Sequence, residues 1–176
     1  MKLKTSSRLV VSNAGPLIHL AKANALHLLK ALYQTIIIPQ EVKIEAVDRG
    51  KERGAADALQ IEDAVKDGWI KVKDISLNGE FLKAAKIAGL QIAEAAVIQY
   101  AYQNQAVALL DDEPARVFAK TLGVPIRGTL GILLEAVEAD QISREEALEA
   151  LDRLSEIMYL SAELYRLLRK TLVRDT

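Results

Sequence analysis

The stretch AVALLDDEPARVFAKTLGVPI, residues 106–126, sets an apolar run, a pair of aspartates, an amphipathic segment and a second apolar run end to end. Ala106 to Leu110 is short, uninterrupted and apolar, as a strand buried on both faces must be. From Glu113 to Leu122 the residues read as a helix, and Gly123 stops it. Val124-Pro125-Ile126 is a brief second strand. A strand, a helix and a strand in this order predict two parallel strands with the helix packed across them.

Working outward, Leu9 to Ser12 and Thr35 to Ile38 repeat the buried-strand pattern, and Trp69 to Val72 alternates as a strand with one polar face. Asn13-Ala14-Gly15-Pro16 reads as a turn out of the first strand, with Pro16 placed to start a helix. Helical spacing follows from Leu17 to Ala21, from Leu26 to Leu32, around Val42 to Val47, and over Ala55 to Lys66, Glu80 to Ala88 and Ile92 to Tyr102. Arg49 to Gly54 reads as a charged loop and Asn78-Gly79 as a turn. Gly128 to Gly131 opens another helix, and Ile142 to Leu172 reads as two more. The expectation is an α/β fold with a short central parallel sheet flanked by helices, plus C-terminal helices. One domain spans residues 1–176, with its core over about 9–140 and a helical extension over about 141–176.

Composition narrows the function classes. The chain has 176 residues, enough for one substantial core, and a net charge of −1. That balance argues against tight sequence-independent coating of nucleic acid but leaves room for an enzyme that engages RNA locally. The absence of cysteine excludes a disulfide framework, a thiolate metal site and a catalytic cysteine, and it fits a cytoplasmic protein. Met1 to Arg8 is polar and basic, and the apolar run after it is short and broken by Asn13, Gly15 and Pro16. We therefore expect neither a signal peptide nor a membrane span.

Polar and acidic side chains fall where such a sheet would gather them. Asn13 and the pair Asp111-Asp112 follow strands, and Glu45 and Glu94 sit near the starts of helices. In open parallel sheets the binding crevice lies at the carboxyl ends of the strands. Carboxylates gathered there repel one another unless a cation sits among them. The simplest such cation is hard and oxygen-seeking, Mg²⁺ or Mn²⁺, and sites of that kind handle phosphate groups.

The segments VVSNAGPLIHLAK, IIIPQEVKIEAV, AEAAVIQYA, LLDDEPARVFAKTLGV and GTLGILLEA, in this order, resemble the PIN-domain nucleases. They are most similar to the toxin-like branch related to the VapC toxins of prokaryotic toxin–antitoxin pairs. The resemblance runs from about residue 9 to 140, and more loosely into the tail. It implies a three-layer α/β/α fold and metal-dependent hydrolysis of RNA phosphodiesters. It places the family's acidic positions on Asn13, Glu45, Glu94 and Asp111-Asp112, with Asn13, Glu94, Asp111 and Asp112 around the metal and Asp112 the first choice within the pair. Ser12 would support the metal shell. Thr129 would orient a metal-bound water or a phosphate beside the helix start at Gly128, and Arg116 would pair with an acid or contact a phosphate. Asn13 is the main departure, because most of these nucleases carry Asp there. An amide oxygen still coordinates Mg²⁺, but without a formal charge. The resemblance also implies a small antitoxin partner whose basic side chain enters the acidic crevice, and a homodimer.

Each residue also has a plainer reading. Asn13 suits a turn, Glu45 a solvated helix, Glu94 the first turn of a helix, and one aspartate of the pair a helix cap. His19 and His27 have no nearby carboxylate in sequence and read as ordinary surface or core residues. Trp69 and the tyrosines read as packing residues, with Tyr159 and Tyr165 available to an interface. Arg166, Arg169, Lys170 and Arg174 read as a solvated basic face that would also attract RNA. Two rival functions stand beside the nuclease. One is a PIN-like binding module impaired by Asn13, and the other a phosphorylation switch of receiver type. The late position of the acidic pair weighs against the switch.

Overall fold

The computed structural model describes residues 8–173. Met1 to Ser7 and the basic Arg174 lie outside the described residues. Five strands form one parallel sheet: β1 (Val10–Ser12), β2 (Ile36–Pro39), β3 (Ile70–Lys73), β4 (Val107–Leu109) and β5 (Ile126–Arg127), in the order β3-β2-β1-β4-β5. β1 pairs with β4 through Val10↔Val107, Val11↔Ala108 and Ser12↔Leu109, and with β2 through Val11↔Ile37. Every residue of β1, β2 and β4 is buried, which explains their unbroken apolar character.

The order reverses direction at β1. The chain steps one way from β1 to β2 and β3, then returns across the sheet to β4 and β5. Right-handed crossovers therefore place the two sets of helices on opposite faces. α1 (Ala14–Lys22), α2 (His27–Tyr33) and α5 (Ala56–Lys66) belong to the first set. α6 (Gly79–Ile87), α7 (Ile92–Asn104) and α8 (Glu113–Thr121) belong to the second. α7 is the most enclosed helix, with Ala93 and Ala95 to Ala101 all buried. After β5, α9 (Thr129–Glu138) and α10 (Arg144–Ile157) pack on α1, and α11 (Ala162–Val173) packs on α10. Arg153 of α10 ties to α1's end by donating from Nε to the Ala23 carbonyl at 2.8 Å.

Three local expectations change. Asn13 stands at the N-cap position of α1 without a side-chain capping bond, and Ala14-Gly15-Pro16 is helix and not a turn; Pro16 falls in the first turn, where its missing N–H costs nothing. Asn78 also caps a helix instead of forming a turn, its side-chain oxygen accepting from the amides of Glu80 and Phe81. The charged stretch after β2 is helical throughout. It runs as α3 (Gln40–Lys43), a π-helical segment (Ile44–Asp48) and α4 (Arg49–Glu52), where a loop was expected over Arg49 to Gly54. Gly50 explains why α4 forms. A Cβ at that position would stand 2.6 Å from the Cβ of buried Ala58, so only glycine lets α4 close on α5.

Gly50→Ala is therefore expected to lower stability by about 1–2 kcal/mol, the overpacking cost outweighing alanine's better helix propensity. Urea unfolding followed by circular dichroism measures it, and an unchanged or raised midpoint would show that α4 and α5 can part without strain.

Candidate metal and nucleic-acid site

The carboxyl ends of β1 and β4 meet at the point where the strand order reverses. The Asn13 amide donates to the Leu109 carbonyl at 3.0 Å, and the Leu110 amide to the Arg127 carbonyl at 2.9 Å. These bonds carry the pairing one residue past the strands and set Asn13, Asp111 and Gly128 side by side. Ser12, fully buried, donates its hydroxyl to the Asn13 carbonyl at 2.8 Å, which fixes the chain where it turns into α1. The Asn13 side-chain oxygen Oδ1 is buried and has no hydrogen-bond donor. An orphaned acceptor of this kind is costly on its own and well suited to a cation.

Glu94 lies in the first turn of α7, which runs antiparallel to the strands and so begins at the same edge. Its Oε2 accepts from the Gln91 amide at 2.9 Å. Burial raises the Glu94 pKa above the ordinary glutamate value, against that hydrogen bond, and the charges of Asp112 and Glu45 raise it further. Glu94 thus feels the charges of Asp112 and Glu45, both distant from it in sequence. Asp112 is exposed and caps α8; its Oδ2 accepts from the Ala115 amide at a long 3.4 Å. Glu45 is exposed in the π-helical segment, a rare element that shifts the register of a helix face and recurs at functional sites. Among the described residues no three His, Asp or Glu side chains form a close cation-holding group.

Asp111 faces another way. Its Oδ1 accepts from the Thr129 amide at 2.7 Å, while Oδ2 accepts from the Thr129 hydroxyl at 2.6 Å and lies 2.7 Å from His19 Nδ1. The Asp111 side chain is 13% exposed and Thr129 is fully buried. Burial works to raise the Asp111 carboxyl, but the bonds from His19 and Thr129 outweigh it and hold its pKa below the ordinary aspartate value. Arg116 closes the same corner by donating from Nη1 to the Leu110 carbonyl at 2.9 Å, with Glu113 3.8 Å from its Nε. Gly128 accepts this crowding because a Cβ there would meet Arg116 Nη1 at 2.7 Å and Asp111 Oδ1 at 3.1 Å. Asn13, Glu45, Glu94 and Asp112 thus lie about the cleft. Asp111, Thr129 and Arg116 brace its wall.

Sequence reading missed two residues. His19 reaches Asp111 from 92 positions away, and no local pattern marks it. Glu41, in the first turn of α3 just past β2, has a buried Oε2 with no donor, yet in sequence it is one glutamate among many. The tail residues behave as surface. Tyr159 is 96% exposed, Arg169 pairs with Asp152 at 3.4 Å, and the Tyr165 hydroxyl donates to Asp152 at 2.6 Å. Among the described residues no helix is long and apolar enough to cross a membrane.

A depressed carboxyl pKa stabilises the fold above the unfolded value, near pH 3.9, and that contribution is lost as pH falls through the lower folded value. Asp111→Asn is expected to cost about 1–3 kcal/mol at pH 7, and the gap from native should close below about pH 4. Denaturant titrations across pH 2–7 measure this; a gap that is constant with pH would sink the clamp.

The chain matches the family DUF3368, a PIN domain, over residues 9–173. No curated protein matches its sequence significantly. Among solved structures it is similar to PAE2754 from Pyrobaculum aerophilum, with a TM-score of 0.56 and 17% identity over 74% of this chain and 98% of that one. That likeness concerns the fold alone. With the family match spanning nearly the whole chain and the fold in agreement, the chain belongs to the PIN-domain family.

Proposed function

We propose that the protein is a Mg²⁺- or Mn²⁺-dependent endoribonuclease and the toxin of a toxin–antitoxin pair. PIN domains are generally metal-dependent nucleases. The observation that carries the reading is the meeting of Glu94, Asp112 and Glu45 charges beside an orphaned Asn13 oxygen at the strand ends. These all-oxygen donors fit a hard divalent cation and would suit a softer one poorly. Asn13, Glu94 and Asp112 would hold it, with Glu45 adding charge at the cleft's far side. A bound cation would polarise a phosphoryl oxygen and acidify water beside it. Asp111 and Thr129 keep the loop before Asp112 in place. The absence of cysteine fits the cytoplasm, where such a partner pair would work. A basic antitoxin side chain would satisfy the same acidic cleft, and a homodimer would use the exposed apolar residues of α11, Leu164 and Leu167.

The neutral amide at position 13 favours a second reading, a PIN-fold module that binds RNA without cutting it. Cleavage of end-labelled single-stranded RNA in Mn²⁺, Mg²⁺ and EDTA separates the two. Metal-dependent cutting should fall about a hundredfold or more in Glu94→Gln and in Asp112→Asn. Folded protein that cuts in no metal would favour the module, and Asn13→Asp should then bind Mn²⁺ about tenfold more tightly.

Stability gives an independent check. A raised carboxyl pKa stabilises the fold at low pH and that contribution is gone once pH exceeds it, so the charged Glu94 is a liability in the metal-free protein at pH 7. Glu94→Gln keeps the helix-capping group and should raise the thermal midpoint in EDTA by about 2 °C. Mn²⁺ should stabilise native protein and leave the variant unmoved. A variant that melts lower in EDTA, or that gains equally from Mn²⁺, would remove Glu94 from the site.

A further inference from the structure

Lys73 ends β3, and the strand register fixes its place relative to the metal site proposed above. Val11 of β1 pairs with Ile37 and Ile37 with Lys71, while Pro39 pairs with Lys73. The backbone stays extended through Asn13, so Asn13, Pro39 and Lys73 stand level at the carboxyl edge of the sheet. Two strand spacings put the Asn13 and Lys73 backbones about 10 Å apart. Residues level on neighbouring strands point to one face, so both side chains leave on the same side. That side is the one α7 covers: Lys73 donates from Nζ to the Tyr100 hydroxyl at 3.2 Å, and the ammonium stands 5.4 Å from the Tyr100 ring centroid. Glu94 lies on the same helix, about 9 Å nearer its start.

Other bases near the strand ends are already matched. Lys43 pairs with Asp48 at 2.7 Å and Arg127 with Glu135 at 3.3 Å. Arg116, expected from the sequence to pair with an acid or meet a phosphate, is spent on the Leu110 carbonyl and Glu113. Lys73 differs, because its partner is a neutral hydroxyl, and among the described residues no carboxylate pairs with it. Its charge is uncompensated, its side chain is exposed, and two of the three ammonium hydrogens remain to be given. The hydroxyl and the ring face also restrain a side chain that is otherwise rich in rotamers. A polyanion that meets an edge of carboxylates needs such a counter-charge. Resting on the ribonuclease reading, we propose that Lys73 binds a backbone phosphate of the RNA strand beside the metal site, with Tyr100 as the positioning residue that holds its ammonium in place. An ammonium takes a phosphate as a point charge, so the contact sets the path of the strand and not its sequence.

The test measures binding of fluorescein-labelled oligo-A and oligo-U RNA by anisotropy over a range of KCl concentrations. Ca²⁺ is present, and a gel checks that the strands stay intact. Each phosphate contact contributes about 0.7 to the slope of log K against log salt for a single strand. Lys73→Gln should lower that slope by about 0.7 and weaken both RNAs alike, about threefold to tenfold. Lys73→Arg should keep the native slope. Lys22→Gln removes the same charge at the far end of α1 and should keep native slope and affinity. Tyr100→Phe should keep the slope and bind about twofold to threefold more weakly. A native slope in Lys73→Gln, an equal loss in Lys22→Gln, or native protein that binds neither RNA would overturn the contact. Unchanged affinity in Tyr100→Phe would overturn the tether. Protein that cuts RNA in no metal but keeps a Lys73-dependent slope would sink the nuclease and leave this contact standing. Metal-dependent cutting that Glu94→Gln abolishes, with the slope unmoved by Lys73→Gln, would do the reverse.

Discussion

The pairing of β1 with β4 is the contact on which the rest of the structure depends. It joins Val10–Ser12 to Val107–Leu109 across most of the chain, and it is where the crossovers change direction. Two helices diverge to opposite faces from that seam, α1 after Asn13 and α8 after Asp112. Divergence opens the crevice, and the seam brings side chains from both halves of the sequence to its floor. A slip of one residue would turn every strand side chain to the opposite face and move Asn13 away from Asp111. The bonds from the Asn13 amide to the Leu109 carbonyl and from Ser12 to the Asn13 carbonyl fix the register at the end of the seam.

The adjacent aspartates do different work because the backbone points them apart. Asp111 sits at the end of a buried strand and turns inward to three donors, which compensate its desolvation and leave it ionised. Asp112, one residue on, has left the sheet and caps a helix in solvent. Glu94 stands between these extremes, half-buried with one hydrogen bond and two like charges nearby. The arrangement separates a braced carboxylate from under-satisfied acceptors. A charged, well-satisfied carboxylate holds the loop, and under-satisfied acceptors face the cleft. Under-satisfied buried groups cost stability.

The fold was largely legible because its strands are short apolar runs and its helices are amphipathic at the expected period. Leu9 to Ser12, Thr35 to Ile38 and Ala106 to Leu110 announced themselves in this way. What escaped was decided by contacts distant in sequence. Arg49 to Glu52 looks like a loop because nothing local rewards its helix; the reward is the close approach of Gly50 to Ala58. The π-helical turn at Ile44–Asp48 leaves no compositional mark. Asn78 was read as a turn residue, since the same side-chain chemistry serves turns and helix caps. Of the candidate site, the places of Asn13, Glu94 and Asp112 after strands and at a helix start follow from the sequence. The division between Asp111 and Asp112 does not, because it rests on Thr129 and His19.

The sheet's outer strands bear on how the molecule meets its own copies. An unpaired strand edge is a template for further strands, and a parallel sheet this apolar would be an open invitation to one. Here β5 is only Ile126–Arg127, and β3 alternates exposed Lys71 and Lys73 with Ile70 and Val72, Lys73 donating from Nζ to the Tyr100 hydroxyl at 3.2 Å. An incoming strand would have to pack beside those charged side chains. The chain therefore carries its most hydrophobic strands at the centre and ends the sheet in short or charged edges, which oppose its growth by further strands.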